Sequence, residues 1–152
     1  MIKDVQLLPL KVNVDDRGYV IVFASSGRSD APHLPKISEV YLVGDLTKGI
    51  IRAFHKHKKL WDYFFISHGA AKFVLVDDRK DSPTYKETNS FILTERNPSL
   101  LVVPAGVYHG WMALDNDTQL VSTASEMYDK NNLDEERISS DSFGDVWTVK
   151  WK

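Results

Sequence analysis

Residues 49–69 read G-I-I-R-A-F-H-K-H-K-K-L-W-D-Y-F-F-I-S-H-G, and this stretch decides how the chain folds. His55 and His57 are two positions apart, so on an extended strand both imidazoles point to the same face. Asp62 follows after a gap that a turn can absorb, and Gly69 closes the stretch. Two imidazoles and a carboxylate that converge can bind a divalent metal, or can place a base beside an anion site. The sequence therefore predicts a strand-borne site at His55, His57 and Asp62.

The composition is that of an ordinary globular protein. A chain of 152 residues can bury a full core without disulfides, and we expect one domain over residues 1–152. Apolar residues make up 43% and charged residues 26%, which excludes a disordered or membrane-embedded chain. The net charge is -2 and no long basic run occurs, so we expect no nucleic-acid partner.

The termini and the cysteine count indicate the compartment. The absence of cysteine excludes disulfides, thiol catalysis and zinc–thiolate sites, and it fits a reducing environment. Asp4 stands where a signal peptide needs its apolar centre, and no apolar run reaches membrane-spanning length. These features predict a cytoplasmic protein with no membrane partner.

Short strand patterns separated by turn residues run through the whole chain. Strands are predicted at residues 5–10, 19–23, 37–43, 60–67, 71–76, 90–94, 100–103, 107–114, 119–125 and 146–151. Residues 60–67 and 71–76 resemble a hairpin closed at His68-Gly69, and residues 131–138 are the one candidate helix. Roughly ten short strands favour a sandwich or barrel over alternating βα units. The expected fold is all-β, a double-sheet jelly roll with a pocket at one end of its core.

Two spaced motifs resemble those of the cupins. The first cupin motif is matched by Gly49, His55, His57, Asp62 and Gly69. The core of the second is matched by Pro104, Gly106 and His109. Asp62 replaces the usual glutamate of the first motif, and Ala113 replaces the usual asparagine of the second. The resemblance implies the same jelly-roll fold.

Further motifs resemble the cupin group of dTDP-4-dehydrorhamnose 3,5-epimerase. They occur in family order over most of the chain: Asp15-x-Arg17-Gly18, Arg52-x-x-His55, Asp77-x-Arg79-x-x-Ser82-Pro83-Thr84-Tyr85, Pro104-x-Gly106-x-x-His109-Gly110-Trp111 and Tyr128. The His-x-His-Lys-Lys run of residues 55–59 is instead similar to the TDP-4-keto-6-deoxyglucose 3,4-ketoisomerases. Both resemblances imply an isomerase whose partner is a nucleotide-linked 4-keto-6-deoxy sugar.

The resemblance also implies roles for single residues. His55 matches the base that removes the proton next to the ketone, with His57 or His109 as donor to the enolate oxygen. Arg17 and Arg52 match arginines that contact the nucleotide sugar. Strict alternation puts Arg52 and His55 on opposite strand faces, so this assignment requires a bulge between them.

The chain departs from the epimerases at several positions. Asp62 stands where they carry lysine, and His57 where they carry glutamine. Their acid tyrosine falls near Ser122, which leaves Tyr63 and Tyr128 as candidate phenols. These departures favour one proton shuttle at a keto sugar over epimerisation at two centres.

Alternatives follow from the same residues. His55, His57, Asp62 and His109 match a cupin metal site, whereas the epimerase resemblance implies catalysis without a cofactor. A metal-dependent cupin enzyme and a non-catalytic sugar-binding cupin are therefore the competing hypotheses.

The predicted substrate-binding residues are Arg17, Arg52, Asp62, Tyr63, Trp111 and Tyr128. Tyr63 and Trp111 can stack on a base or sugar, but aromatics on strands also commonly fill a core. Cupins of this kind usually form dimers, and we expect a homodimer paired through strand edges.

Overall fold

The computed structural model describes residues 1–149, and all of their regular structure is strand. The strands are β1 (Gln6–Pro9), β2 (Val12–Asp15), β3 (Gly18–Ile21), β4 (Glu39–Asp45), β5 (Ile51–His57), β6 (Asp62–His68), β7 (Ala70–Asp77), β8 (Thr88–Thr94), β9 (Ser99–Val103), β10 (Val107–Ala113), β11 (Thr118–Ala124) and β12 (Glu135–Arg137). Within this part of the chain, no helix is long and apolar enough to cross a membrane.

Ten of the strands form two antiparallel sheets. The first sheet has the order β1-β9-β6-β11-β4, and the second has the order β12-β5-β10-β7-β8. Strands β2 and β3 form a separate two-stranded sheet outside both. The predicted all-β double-sheet jelly roll is confirmed.

The core fills the space between the two sheets at one end. Alternation along β6 and β7 sends Phe64, Ile66, Phe73 and Leu75 inward, where each is at most 1% exposed. Tyr63 and Phe65 on the opposite face of β6, with Trp61 just before the strand, pack in a second apolar cluster beneath the N-terminal strands. The two faces of β6 therefore have different surroundings, which places Tyr63 away from Phe64 and its neighbours.

Three local predictions are wrong. Strands β6 and β7 are not a hairpin, because β6 pairs with β9 and β11 while β7 pairs with β8 and β10. Gly69, with φ +75°, turns the chain from one sheet into the other. Residues 131–138 do not form the predicted helix. They contain strand β12 instead, because residues 135–137 pair with the edge of β5. The predicted strand at residues 146–151 does not form over 146–149, and residues 150–151 lie outside the described part.

A bulge in β5 lets Arg52 and His55 share one face. On the neighbouring strand β10, Trp111 lies opposite Arg52 and His109 lies opposite His55. The three-residue separation on β5 is therefore matched by a two-residue separation on β10, which means that β5 contains one extra residue. The bulged chain lies against Gly110, where an added Cβ would be 2.3 Å from the Ala53 Cβ. The bulge required by the sequence assignment is therefore present, and a glycine makes room for it.

The Asp-x-Arg-x-x-Ser-Pro-Thr motif forms a tight turn after β7. The buried Asp77 carboxylate accepts hydrogen bonds from Arg79 Nε (2.9 Å), Ser82 Oγ (2.7 Å) and Thr84 Oγ1 (2.6 Å). Burial opposes ionisation of Asp77, but these donors outweigh it and hold its pKa well below the usual range. Arg79 also binds Asp4 at 3.0 Å, so the motif ties the N-terminus to the second sheet.

Candidate active site

A cavity of about 330 Å³ opens between the sheets at the end away from the main core. This volume is within the range of small-molecule sites. Its walls come from β4, β5, β6, β10, β11, β12 and residues 127–134. The polar lining residues are Glu39, Tyr41, His55, His57, Asp62, His109, Tyr128, Asp129, Asn132, Asp134, Glu135 and Arg137.

Three of the predicted residues meet at the bottom of this cavity. One oxygen of Asp62 lies 3.4 Å from His57 Nε2 and 3.4 Å from His109 Nε2. Asp62 and His109 are 3% exposed, so little water reaches the group. Alternation on β6 explains the placement, because Asp62 and Phe64 share the face opposite Tyr63.

The backbone fixes the orientation of both imidazoles. His57 Nδ1 is 2.9 Å from the Asp134 carbonyl, and His109 Nδ1 is 3.2 Å from the Val107 carbonyl. Because a carbonyl only accepts, each Nδ1 carries the proton, and each neutral ring presents its Nε2 lone pair to Asp62. Three acceptors that face one another need a proton or a cation between them.

Burial favours a proton on the carboxyl. Burial raises the pKa of Asp62 to about 7, and a proton on the His57 ring would partly offset this. Burial lowers the pKa of His109 to about 3, and a protonated His57 would lower it further. The favoured metal-free arrangement therefore has neutral His109 and a shared proton near Asp62.

His55 lies in the same cavity but outside this group. It pairs with His109 across the β5–β10 ladder, and their ring centroids are 6.1 Å apart. The ligand atoms of His57, Asp62 and His109 lie within 4.8 Å of one another, and His55 is not part of that set. Of the four residues that the sequence offered as an alternative metal site, three therefore bring their ligand atoms together. Burial lowers the pKa of His55, which leaves its imidazole neutral and able to accept a proton near pH 7.

Arg52 is held beside the cavity by a buried carboxylate. Asp45, 2% exposed, accepts Arg52 Nε at 2.6 Å and the Trp111 indole N–H at 2.9 Å. Trp111 lines the cavity, whereas Arg52 is not among the lining residues. The Asp45 carboxylate thus joins β4, β5 and β10 at this edge of the site.

A phenol enters the cavity from β4. Tyr41 lies opposite Ser122 in the β4–β11 ladder and lines the cavity. Tyr41 is 45% exposed, and its partial burial raises the pKa of the phenol, which therefore keeps its proton at neutral pH. The sequence prediction of Tyr63 or Tyr128 as the phenol did not include this residue.

Known proteins share both the sequence and the fold of this chain. The family model described as dTDP-4-dehydrorhamnose 3,5-epimerase matches residues 1–151. The chain belongs to this family. It is 34% identical over 143 residues to the probable low-salt glycan biosynthesis epimerase Agl13 of Haloferax volcanii, covering 92% of this chain and 89% of that protein.

Two solved structures are similar over most of the chain. The dTDP-4-dehydrorhamnose 3,5-epimerase of Bacillus anthracis, solved with TDP and PPi bound, is 26% identical with a TM-score of 0.81 and covers 97% of this chain and 87% of that one. QdtA, a sugar 3,4-ketoisomerase of Thermoanaerobacterium thermosaccharolyticum solved with TDP, is 25% identical with a TM-score of 0.71 and covers 91% and 90%. Both resemblances noted in the sequence, to the epimerases and to the ketoisomerases, are confirmed.

Not every residue assigned from family resemblance reaches the cavity. Tyr63, predicted to bind substrate, is 2% exposed on the opposite face of β6, packs in the second apolar cluster and does not line this cavity. Arg17 lies in the β2–β3 turn, where it pairs with Asp15 at 2.5 Å, and it does not line this cavity. Tyr128 lines the cavity from its rim and is 66% exposed.

The sequence prediction missed other residues that line the cavity, because pairing between distant strands, and not a local pattern, brings them there. Glu135 and Arg137 on β12 lie opposite His57 and His55 on β5. Asp134 accepts the backbone N–H groups of residues 58, 59 and 60, each at 2.9 Å. Burial alone would raise the pKa of Asp134, but these donors outweigh it and hold the pKa low. Asp134 thereby fixes the β5–β6 turn as well as the His57 ring.

Proposed function

We propose that this protein is an isomerase that moves a proton next to the ketone of a nucleotide-linked 4-keto-6-deoxy sugar. The observation that carries the proposal is that a base, His55, and a phenol, Tyr41, line one cavity from strands of opposite sheets. Family membership supports the substrate class, because relatives are named as dTDP-sugar epimerases and a sugar 3,4-ketoisomerase.

The proton transfers are assigned from the protonation states. Neutral His55 removes the proton from the carbon next to the ketone, and the electron pair moves onto the carbonyl oxygen as an enolate. Tyr41, protonated at neutral pH, returns a proton to the carbon from the other side of the cavity. His57 and His109 are both oriented toward Asp62, so this group is assigned to hold the enolate oxygen through its shared proton.

Solvent exchange tests the proposal. We expect the purified protein in D₂O to incorporate deuterium at C3 or C5 of dTDP-4-keto-6-deoxyglucose, detected by proton NMR. Analysis of the sugar product distinguishes inversion at a carbon from transfer of the ketone to C3. Binding of the substrate without any exchange would favour a non-catalytic sugar-binding protein instead.

Replacing Tyr41 with phenylalanine is expected to separate exchange from inversion. His55 can still remove the proton and return deuterium to the same face, so exchange should continue while the inverted product falls roughly 100-fold. The Tyr85→Phe variant, altered in the β7–β8 connection away from the cavity, serves as the control and should match the unaltered protein. Equal losses of exchange and inversion in Tyr41→Phe would contradict the assignment of Tyr41 as the second proton donor.

A metal-dependent function is the second candidate. His57, Asp62 and His109 offer ligand atoms within 4.8 Å of one another, and backbone carbonyls anchor both outer ring nitrogens. Such anchoring is usual for metal-binding histidines. A stoichiometric divalent metal in protein purified without chelator, lost in Asp62→Asn, would favour this candidate. Metal-free protein with full exchange activity would exclude it.

We also propose a cytoplasmic homodimer. The β2–β3 sheet exposes Val14 (76%), Tyr19 (70%) and Val20 (62%), while β4 is an edge strand that exposes Leu42 (61%). Addition of β2 and β3 to the β4 edge of a second copy would cover these groups and would offer Arg17 a role in the partner's cavity. Light scattering should give a dimer, and Val20→Glu should shift it toward monomer.

The proposed cytoplasmic location is supported by the lack of cysteine, which fits a reducing compartment.

A further inference from the structure

The charge of the cavity is opposite to what a nucleotide sugar requires. Its described lining contains four carboxylates, Glu39, Asp129, Asp134 and Glu135, besides the Asp62 carboxyl on which burial favours a proton. Arg137 is the one lysine or arginine among these described lining residues. A diphosphate needs charge-assisted donors, and within the described lining of this chain Arg137 is the residue that can supply a guanidinium.

Strand β12 places Arg137 beside the proposed base. Arg137 lies opposite His55, and Glu135 lies opposite His57, on the cavity face of the β12–β5 pair. The intervening Glu136 points the other way, where it binds Lys56 Nζ at 3.0 Å and accepts the Tyr108 hydroxyl. Lys56 also binds Asp78 at 2.6 Å, so this short strand is anchored from its outer face.

Arg137 also keeps donors free. Its Nε binds Glu135 two residues away on the same face, and the Arg137 side chain is 74% exposed. Arg52, the other arginine on this side of β5, is instead occupied by the buried Asp45 and by the Gly44 carbonyl. An entering anion therefore meets Arg137 first, and it competes with Glu135 for that guanidinium.

We propose that Arg137 binds the diphosphate of the substrate at the cavity mouth and that Glu135 is the internal competitor which the diphosphate displaces. This inference rests on the proposed function, since it assigns the anionic part of the same substrate. The proposal gives Arg137 and Glu135 opposite effects on the affinity for the diphosphate. Arg137 strengthens diphosphate binding, and Glu135 weakens it by repulsion and by occupying the guanidinium.

Binding of dTDP, measured by calorimetry, tests the proposal without any catalytic step. In Arg137→Gln the Kd for dTDP should rise roughly tenfold, as expected for loss of one charge-assisted contact, and in Arg137→Lys it should rise less. In Glu135→Gln the Kd should fall about threefold, because the competitor is removed. The affinity for thymidine, which lacks phosphate, should stay the same in all three variants.

Arg28→Gln is the matched control, because Arg28 also binds a carboxylate two residues away, Asp30, and lies outside the cavity. Its affinity for dTDP should equal that of the unaltered protein. If the unaltered protein binds dTDP and Arg137→Gln binds it equally well, the role of Arg137 is overturned while the proposed function stands. Weaker binding in both Arg137→Gln and Glu135→Gln would indicate only a structural role for the pair and would also overturn it. Failure of the unaltered protein to bind dTDP would overturn both proposals.

Discussion

Replacing His55 with asparagine is expected to reduce solvent deuterium exchange into a TDP-4-keto sugar by about 10³-fold, within the range attributed to a positioned general base. Asparagine keeps a polar group of similar reach but cannot accept a proton at neutral pH. The effect should appear in kcat, because the imidazole acts on the carbon-bound proton and not on the nucleotide. Exchange at C3 and C5, followed by proton NMR, measures it directly.

The His68→Asn variant provides the control for His55→Asn. His68 binds Glu95 at the surface and lies outside the cavity, so its replacement should leave exchange unchanged. The dTDP affinity of His55→Asn should also remain close to normal, which shows that the cavity is intact. A folded His55→Asn variant with full exchange would exclude His55 as the base.

The pH dependence of exchange follows from the surroundings of His55. Burial lowers the pKa of His55 in the folded protein, so the neutral form persists below the ordinary histidine range. On the acid side, the rate should therefore hold through the ordinary histidine range and fall only as the pH drops through that lowered pKa. On the alkaline side it should fall above about pH 7, because the proton near Asp62, whose pKa is raised to about 7, is assigned to hold the enolate oxygen.

The histidines of the site were predictable because their geometry is local. The spacing of His55 and His57 on one strand fixes their shared face, and the family motifs placed His109 in the same cavity. The bulge between Arg52 and His55 was predictable because strict strand alternation would put them on opposite faces, whereas their assigned roles require one face. A short-range rule thus placed His55, His57 and the bulge, whereas family resemblance placed His109.

The remaining site residues depend on which strands become neighbours. Tyr41 reaches the cavity because β4 pairs with β11, and Arg137 because β12 pairs with the edge of β5. The hairpin error at Gly69 has the same origin, since local sequence shows a turn between β6 and β7 but not the sheet that each strand joins. Pairing between distant strands depends on the whole core, and a single sequence pattern does not encode it.

Replacing Gly110 with alanine is expected to destabilise the protein by about 3 kcal/mol, at the upper end of the usual cost of overpacking. The new Cβ would lie 2.3 Å from the Ala53 Cβ and 2.8 Å from both the Ala53 Cα and the Arg52 carbonyl oxygen. Two of these atoms belong to the backbone, so no side-chain rotation relieves the clash. The bulge must move away from β10, and thermal unfolding should show a midpoint lowered by roughly 10 °C.

The Gly110→Ala variant also tests whether the bulge positions the site. Moving β5 away from β10 disturbs the pairing of His55 with His109, so exchange should fall even at temperatures where the variant is folded. Gly44→Ala is the matched control, because Gly44 also lies in a strand and its added Cβ meets nothing within 4 Å. The control should retain both stability and exchange. A stable, fully active Gly110→Ala protein would mean that the β5 bulge can shift without cost, and His55 would then owe its position to contacts other than this glycine.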